Sequence, residues 1–314
     1  MIFSGRKSVM TTLRGAFTAL ITPMNPDGSV DFDGFRRLVR FQLDSGISGI
    51  VPLGTTGETP TLEETEEDTL IDIAIAEAKG KVPVIIGAGS NCTKDAVKYV
   101  KRAKQKGADY ALVVTPYYNK PTDEGIYLHF AACAEVGLPI IVYNIAGRTG
   151  KNISTALLAR IAELPNIAGV KEASGDLNQM MDVIATVKAK HPGFTVLSGD
   201  DSLTLAVAAI GGDGVISVVS NIAPKEVADM TKAALSGDVA KAREMHYRLL
   251  PAFKNAFIET NPVPIKAAMN MKGLPAGTLR LPLCPLMKEN EYKLRAAFEA
   301  AGILTRETDS NSFC

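Results

Sequence analysis

Short apolar segments rich in Val, Ile and Ala alternate along the chain with longer segments in which apolar residues recur every three or four positions. The first pattern is typical of buried strands and the second of amphipathic helices, so their alternation predicts βαβ units and a parallel sheet. Eight segments have the strand pattern: Ala16–Thr22, Gly49–Leu53, Val82–Gly87, Tyr110–Thr115, Pro139–Tyr143, Ala168–Lys171, Thr195–Ser198 and Gly214–Val218. Eight strands, each followed by a helix, predict an α/β fold of the (β/α)₈ TIM-barrel type.

Helical patterns separate these strands, and several end near a glycine, as helices often do. They include Phe35–Leu43, Thr65–Ala78, Thr93–Lys104, Thr155–Ala162 and Leu177–Lys188. Ser154, Thr155 and Asp176 are candidate N-caps, because their side-chain oxygens can accept from free N–H groups of the first turn.

The strand pattern ends at Gly237, and only helical patterns follow. These are Val239–Ile258, Val263–Met271 and Glu289–Ala301, after which Arg306–Cys314 is polar and aperiodic. We therefore expect a catalytic barrel over residues 1–237 and a C-terminal helical appendage with a polar tail over residues 238–314.

Composition and charge narrow the class of protein. Lys+Arg and Asp+Glu each total 34, so a net charge of zero gives no field that would hold nucleic acid or an anionic membrane. No apolar run reaches the roughly 18 residues of a membrane span. The four cysteines form no CxxC pair and predict no metal site, which favours a reduced, cytoplasmic protein. Residues 1–14 carry three basic residues and no acid, and we expect an irregular arm there in preference to a transit peptide.

The chemistry of such a barrel lies at the C-terminal ends of its strands. Lys171 ends an apolar strand, where burial favours the neutral amine that forms a Schiff base with a ketone. Its alternative role is to extend outward and pair with Glu172 or a loop. Tyr143 ends the preceding strand, and its phenol can donate and accept the protons that such a mechanism moves.

Two loops offer groups for carboxylates. Gly54–Glu58 presents successive N–H groups and the hydroxyls of Thr55 and Thr56, which suit a 2-oxo acid, although threonines that cap the next helix are an alternative. Arg148 could bind a second carboxylate through both arms of its guanidinium, or be a solvated surface residue. Tyr118 could extend the chain of hydroxyls.

Seven segments, in order, resemble the pyruvate-dependent class I aldolases, and within them the dihydrodipicolinate synthase family. They are Ala16–Pro23, Gly54–Glu58, Thr115–Pro121, Tyr143–Asn144, Gly169–Ser174, Leu197–Asp201 and Gly211–Ser217. Each alone is weak, but their order and spacing are highly specific and extend over nearly the whole chain. The resemblance implies a lyase of lysine and diaminopimelate biosynthesis that condenses pyruvate with L-aspartate-4-semialdehyde, without metal or cofactor, as a homotetramer built from two dimers.

The same resemblance implies a role for individual residues. Lys171 would form the Schiff base and Tyr143 would transfer the proton, with Thr55 and Tyr118 completing the relay and Tyr118 reaching across a dimer interface. Thr56 would bind the pyruvate carboxylate, and the backbone around Ile216 would contact the same substrate. Gly199 would also be a substrate-binding residue, and Arg148 would bind the carboxylate of the aldehyde.

Lysine-sensitive relatives bind L-lysine at an allosteric site. Its lining corresponds to Thr59, Pro60, Glu64, Glu67, Asn91, Asp95 and Tyr117. Glu67 and Asp95 would pair with the two ammonium groups, and Asn91 and Tyr117 would donate to the carboxylate. Alternatively, the acidic residues Glu63, Glu64, Glu66 and Glu67 simply favour the dipole of the helix near whose N-terminus they lie.

One position departs from the family, which usually has a proline where this chain has Ala146, so we expect a looser loop behind Arg148. Two alternatives to the synthase activity stay open. N-acetylneuraminate lyases and 2-keto-3-deoxy-sugar-acid aldolases share the lysine and tyrosine, although the paired threonines and Arg148 favour the synthase. A non-catalytic barrel that binds 2-oxo acids is the second alternative, and the complete set of proton-transfer residues argues against it.

Overall fold

Eight parallel strands form the centre of the molecule. The computed structural model describes residues 13–305. Its strands are β1 (Gly15–Ala19), β2 (Gly49–Val51), β3 (Ile85–Gly87), β4 (Tyr110–Val114), β5 (Ile140–Asn144), β6 (Ile167–Glu172), β7 (Thr195–Ser198) and β8 (Gly214–Ser217). They pair in the order β2-β1-β8-β7-β6-β5-β4-β3, and a parallel bridge from Ile50 to Val84 joins the two ends. The predicted TIM-barrel fold is confirmed.

Twelve α-helices lie in the described part of the chain. They are α1 (Phe32–Asp44), α2 (Glu64–Ala78), α3 (Thr93–Lys106), α4 (Asp123–Ala134), α5 (Ala146–Thr149), α6 (Thr155–Ala162), α7 (Leu177–Asp182), α8 (Thr204–Ala209), α9 (Pro224–Leu235), α10 (Val239–Asn255), α11 (Val263–Met271) and α12 (Lys288–Ala300). A π-helical segment, Val183–Lys188, continues α7. Every helical pattern found in the sequence corresponds to a helix.

Capping contacts explain where the element boundaries differ from the predicted ones. Asp31 accepts a hydrogen bond from Gly34 N at 2.7 Å, so α1 begins at Phe32, three residues earlier than predicted. Ser154 and Asp176 are N-caps, as predicted, whereas Thr155 is the first residue of α6 and not a cap.

The first strand is shorter than predicted. It ends at Ala19 because the next residues bond to loops: Ile21 N donates to Asn221 Oδ1 at 3.0 Å, and Thr22 Oγ1 donates to Gly57 O at 2.7 Å. These two bonds hold the chain across the C-terminal mouth of the barrel.

The interior of the barrel is apolar up to the level of the site. Phe17, Val51, Leu112, Ile141 and Leu197 are among the side chains that fill it. The register of β5 on β6 shifts between Ile140 and Ile141, and beyond the shift Tyr143 lies opposite Lys171. The strands therefore bring these two side chains together at the end of the packed core.

The C-terminal helices pack onto the barrel. Helix α10 contacts α8 and α9, and α12 packs against α10 and α11. The domain boundary at residue 237 stays a prediction, as does the polar tail at 306–314, which lies outside the described residues together with residues 1–12 of the expected arm. Within residues 13–305, no helix has both the length and the apolar character to cross a membrane.

Candidate active site

A cavity of about 330 Å³ opens at the C-terminal ends of the strands. Six of the predicted catalytic and substrate-binding residues line it: Thr55, Thr56, Tyr143, Arg148, Lys171 and Gly199. A second hollow, of about 580 Å³, lies around Arg14, Gly15 and Ser48. The N-terminal ends of the strands lie there, where barrels of this fold do not place their chemistry.

Lys171 and Tyr143 face each other in this cavity. Lys171 is 6% exposed, and its Nζ lies 4.1 Å from the centroid of the Tyr143 ring. Glu172 lies fully buried, where its carboxylate accepts from Asn144 Nδ2 at 2.9 Å and from Ser174 N at 2.8 Å. The alternative in which Lys171 extends outward to pair with Glu172 is therefore wrong, and the amine is directed into the cavity.

The loop after β2 forms a tight, buried turn. Residues Thr55–Gly57 form one turn of 3₁₀-helix, and Glu58 follows with a left-handed φ of 55°. Thr56 is 3% exposed, and its Oγ1 accepts from Asn261 Nδ2 at 2.9 Å. The loop threonines do not cap the next helix, because α2 begins at Glu64 with Glu63 as its cap. Both threonines line the cavity instead.

A buried ion pair holds this loop from behind. Lys266 Nζ lies 2.7 Å from Glu58 Oε1 and donates to Thr22 O at 3.0 Å, while Arg280 N donates to Glu58 Oε2 at 3.1 Å. Burial lowers the pKa of Lys266, and the neighbouring Glu58 carboxylate opposes that shift. The sequence analysis included Glu58 in the Gly54–Glu58 loop without a role of its own, and it missed Lys266 and Asn261. A lysine among the apolar residues of α11 was a usable signal for Lys266.

Arg148 is placed by helix α5. Arg148 N and Thr149 N both donate to Ile145 O at 3.1 Å, so the helical turn forms with Ala146 in place of the family's proline. Arg148 Nη2 donates to Asn261 O at 3.1 Å, which directs the guanidinium toward the cavity. The looser loop expected behind Arg148 stays a prediction.

Two predicted residues have no side chain in the cavity. Tyr118 is 89% exposed, with a left-handed φ of 72°. Ile216 is fully buried in β8, opposite Phe17 of β1, so only its backbone is available to a ligand. A role for Tyr118 in its own chain's site has no support in this geometry.

The predicted allosteric residues divide into two groups. Thr59, Pro60, Glu64, Glu67 and Tyr117 line the outer part of the same cavity, whereas Asn91 and Asp95 lie outside it. The two glutamates already have cationic partners on α3: Glu67 pairs with Arg102, which stacks over Tyr99 at 5.1 Å, and Glu64 pairs with Lys98. Burial raises the pKa of Glu67, and Arg102 opposes that shift. A ligand ammonium group would have to compete with these two side chains.

Comparison with known proteins decides the family. The model of the Dihydrodipicolinate synthetase family matches residues 12–301. The chain belongs to this family. The 4-hydroxy-tetrahydrodipicolinate synthase of Protochlamydia amoebophila is 53% identical over 283 residues, which cover 90% of this chain and 94% of that protein.

Solved structures have the same architecture. A chloride-inhibited dihydrodipicolinate synthase from Acinetobacter baumannii, in complex with pyruvate, aligns with a TM-score of 0.89 at 41% identity and covers 93% of this chain and 100% of that one. The enzyme from Cyanidioschyzon merolae with lysine bound aligns with a TM-score of 0.89 at 38% identity and covers 94% of this chain and 100% of that one.

Proposed function

We propose that this chain condenses pyruvate with L-aspartate-4-semialdehyde to 4-hydroxy-tetrahydrodipicolinate through a Schiff base on Lys171. The family to which the chain belongs performs this aldol-type condensation in lysine and diaminopimelate biosynthesis. The observation that carries the proposal is a buried amine, Lys171 Nζ, directed into the cavity 4.1 Å from the Tyr143 ring centroid. Buried amines of this kind are the nucleophiles of class I aldolases.

The first half of the reaction converts pyruvate into a carbon nucleophile. The free amine of Lys171 attacks C2 of pyruvate, and the carbinolamine loses water to give an imine. A proton then leaves the methyl carbon, and the electron pair of the broken C–H bond gives the enamine. Tyr143 lines the same cavity and would transfer this proton, and the hydroxyl of Thr55, which also lines the cavity, would complete the relay. Thr56 would donate its hydroxyl to the pyruvate carboxylate.

The second half joins the two substrates. The enamine carbon attacks the aldehyde carbon of L-aspartate-4-semialdehyde, and Tyr143 supplies the proton that the new alkoxide takes up. Arg148 would hold the carboxylate of the aldehyde, because its planar fork suits two carboxylate oxygens. Attack of the substrate's amino group on the imine carbon closes the ring, and Lys171 leaves as the free amine.

Borohydride trapping tests the proposal directly. Reduction in the presence of pyruvate should add one pyruvate unit to the protein, and peptide mass spectrometry should place it on Lys171. Lys171→Ala should lose the adduct and nearly all turnover, while Lys120→Ala, which removes an exposed lysine, should keep both. An adduct that survives in Lys171→Ala, or that maps to Lys120 or Lys266, would contradict the assignment.

The same assay separates the alternative activities. A wild-type protein that forms no adduct would be a binding protein instead of an enzyme. Formation of the adduct, together with turnover of a sugar acid and none of L-aspartate-4-semialdehyde, would assign a sister aldolase.

We further propose a cytoplasmic homotetramer that L-lysine inhibits. The exposed Tyr118 supports a dimer in which its hydroxyl enters the neighbouring site. Five of the seven predicted lysine-site residues line one cavity, and the relative from Cyanidioschyzon merolae has lysine bound. The ion pair of Glu67 with Arg102 favours weak inhibition, because an ammonium group of lysine has to displace Arg102.

A further inference from the structure

Asn261 lies where the C-terminal helices meet the cavity. Its side chain is 5% exposed and lines the same space as Lys171 and Tyr143. Nδ2 donates to Thr56 Oγ1 at 2.9 Å, and the main-chain carbonyl accepts from Arg148 Nη2 at 3.1 Å. Asn261 therefore contacts both residues that we propose to bind carboxylates.

The amide oxygen of Asn261 is buried without a partner. Among residues 13–305, Oδ1 accepts no hydrogen bond. Buried acceptors in folded proteins are nearly always paired, and Asn261 lines the ligand cavity, so its unpaired Oδ1 is a candidate partner for a ligand donor. The contact with Thr56 fixes which amide atom is free. A Thr56 hydroxyl that donates to pyruvate must itself accept from Nδ2, and this leaves Oδ1 for the second ligand.

We propose that Asn261 Oδ1 accepts a hydrogen bond from the α-ammonium group of L-aspartate-4-semialdehyde. This inference rests on the proposed function and assigns the residue that recognises the amino-acid end of the second substrate. An α-amino acid carries its carboxylate and ammonium group on one carbon. Arg148 and Asn261 are in direct contact and offer the matching donor fork and acceptor.

Three carboxylates in and behind the cavity wall are already engaged. Glu64 and Glu67 line its outer part and are paired with Lys98 and Arg102. Glu58, behind the Thr55–Gly57 turn, is paired with Lys266. The amide of Asn261 is thus the acceptor beside Arg148 that a ligand can use without breaking an ion pair.

A pair of aldehydes that differ only in the amino group isolates this contact. Succinate semialdehyde has the carboxylate and the aldehyde of the substrate but no ammonium group. For the pyruvate-loaded enzyme, we would measure the KM of L-aspartate-4-semialdehyde and the inhibition constant of succinate semialdehyde. The ratio of these two constants reports recognition of the ammonium group, while general damage to the site affects both.

Asn261→Ala should weaken binding of L-aspartate-4-semialdehyde roughly ten- to hundredfold relative to binding of succinate semialdehyde. This is the range for a hydrogen bond to a charged group. Asn178→Ala, at an exposed asparagine that does not line the cavity, is the matched control, and its ratio should stay near that of the wild type. Asn261→Asp keeps an acceptor and adds a negative charge, so it should strengthen binding of L-aspartate-4-semialdehyde relative to binding of succinate semialdehyde.

An unchanged ratio in Asn261→Ala, or no shift in Asn261→Asp, would overturn the inference. Trapping of the pyruvate imine in each variant shows that its site is intact. If Asn261→Ala fails to fold, Asn261→Asp still decides. A wild-type protein that forms no imine, or that does not consume L-aspartate-4-semialdehyde, would instead refute the proposed function.

Discussion

Two buried side chains outside the cavity, His129 and Asp201, have pKa values that burial shifts in opposite directions. Burial lowers the pKa of His129 to about 4, and His129 Nδ1 lies 3.0 Å from Thr93 Oγ1. Burial raises the pKa of Asp201 to about 6, although Ser217 and the backbone N–H of Val218 donate to its carboxylate. Burial disfavours the charged form of both groups. The charged histidine is a cation and the charged aspartate an anion, so the two pKa values shift in opposite directions.

His129 should make the stability of the protein depend on pH. Because the pKa of His129 is lowered from 6.5 to about 4, its contribution is fully present above pH 6.5 and is lost as the pH falls toward 4. The loss is on the order of 3 kcal/mol. His129→Gln should remove this part of the dependence, as measured by urea unfolding at several pH values, while His191→Gln, at a partly exposed position, should keep it.

The Asp201 carboxyl acts in the opposite direction. With its pKa raised above that of the unfolded chain, its proton stabilises the fold below about pH 4, and this contribution falls as the pH rises toward 6. The contribution of His129 is therefore the difference between wild type and His129→Gln in the slope of the free energy of unfolding against pH, not the slope of either protein alone. Equal slopes in the two proteins would contradict the prediction.

At the scale of elements, the turn at Thr55–Gly57 depends on α11. Lys266→Met would leave Glu58 buried without its cation, and we expect a loss of about 3–5 kcal/mol in the free energy of unfolding. The pyruvate KM should rise as well, because the turn carries Thr55 and Thr56. Urea unfolding and initial rates measure both effects.

A surface pair provides the control for Lys266. Lys225→Met removes the exposed pair with Asp229 and should cost under about 1 kcal/mol. The double variant Glu58→Gln, Lys266→Met should recover part of the stability, since it removes both charges. A Lys266 variant that is no less stable than the Lys225 variant would show that the pair does not support the turn.

The same element shows where sequence reasoning succeeded and where it stopped. Apolar residues recur with one spacing in strands and another in helices, so all eight strands and the residues at their ends could be predicted from short stretches of sequence. Asn261 and Lys266 meet Thr56 and Glu58 only after more than 200 intervening residues have folded, and no local pattern reports such a contact. The unpartnered Asn261 Oδ1 and the ion pair between Glu67 and Arg102 were visible only in three dimensions.

Helices α2 and α3 set the predicted response to L-lysine. Arg102 forms an ion pair with the Glu67 carboxylate, so the wild-type enzyme should be inhibited only at millimolar lysine. Arg102→Leu frees that carboxylate and should lower the half-inhibiting concentration roughly tenfold, within the usual range of allosteric coupling. Titration of lysine into a coupled assay at saturating pyruvate measures this.

Lys106→Met is the control on the same helix, because Lys106 pairs with Asp68 and Asp72 and does not line the cavity. Its inhibition should match that of wild type. If neither wild type nor Arg102→Leu loses rate at millimolar lysine, and calorimetry detects no heat of binding, the lysine proposal ends.

At the scale of the whole molecule, the proposed site needs a second chain. Tyr118 is 89% exposed, and mixed assemblies of two inactive variants test whether it acts on a neighbour. Tyr118→Phe should lower kcat far more than it changes pyruvate binding, because a proton relay acts on the chemical step. Refolding Tyr118→Phe together with Lys171→Ala should restore part of the rate, since one site then has Lys171 and the neighbour's Tyr118.

The mixed assembly also has a clear outcome that would contradict a role of Tyr118 in the neighbouring site. If Tyr118 acted within its own chain, every site in the mixture would lack one of the two residues and the rate would not recover. A fully active monomer would lead to the same conclusion.

The pairing of β1 with β8 has a consequence for the growing chain on the ribosome. Gly15 lies opposite Gly214, so β1 cannot pair with β8 until β8 has been synthesised. At about 5–20 residues per second, the intervening residues take roughly 10–40 s to appear. The contacts that hold the turn with Thr55 and Thr56 form later still, after Lys266 and Arg280 have been synthesised. During that interval β1 presents an unpaired edge, which is a template for aggregation. We therefore expect a nascent chain that chaperones bind early and that becomes competent for pyruvate only near the end of translation.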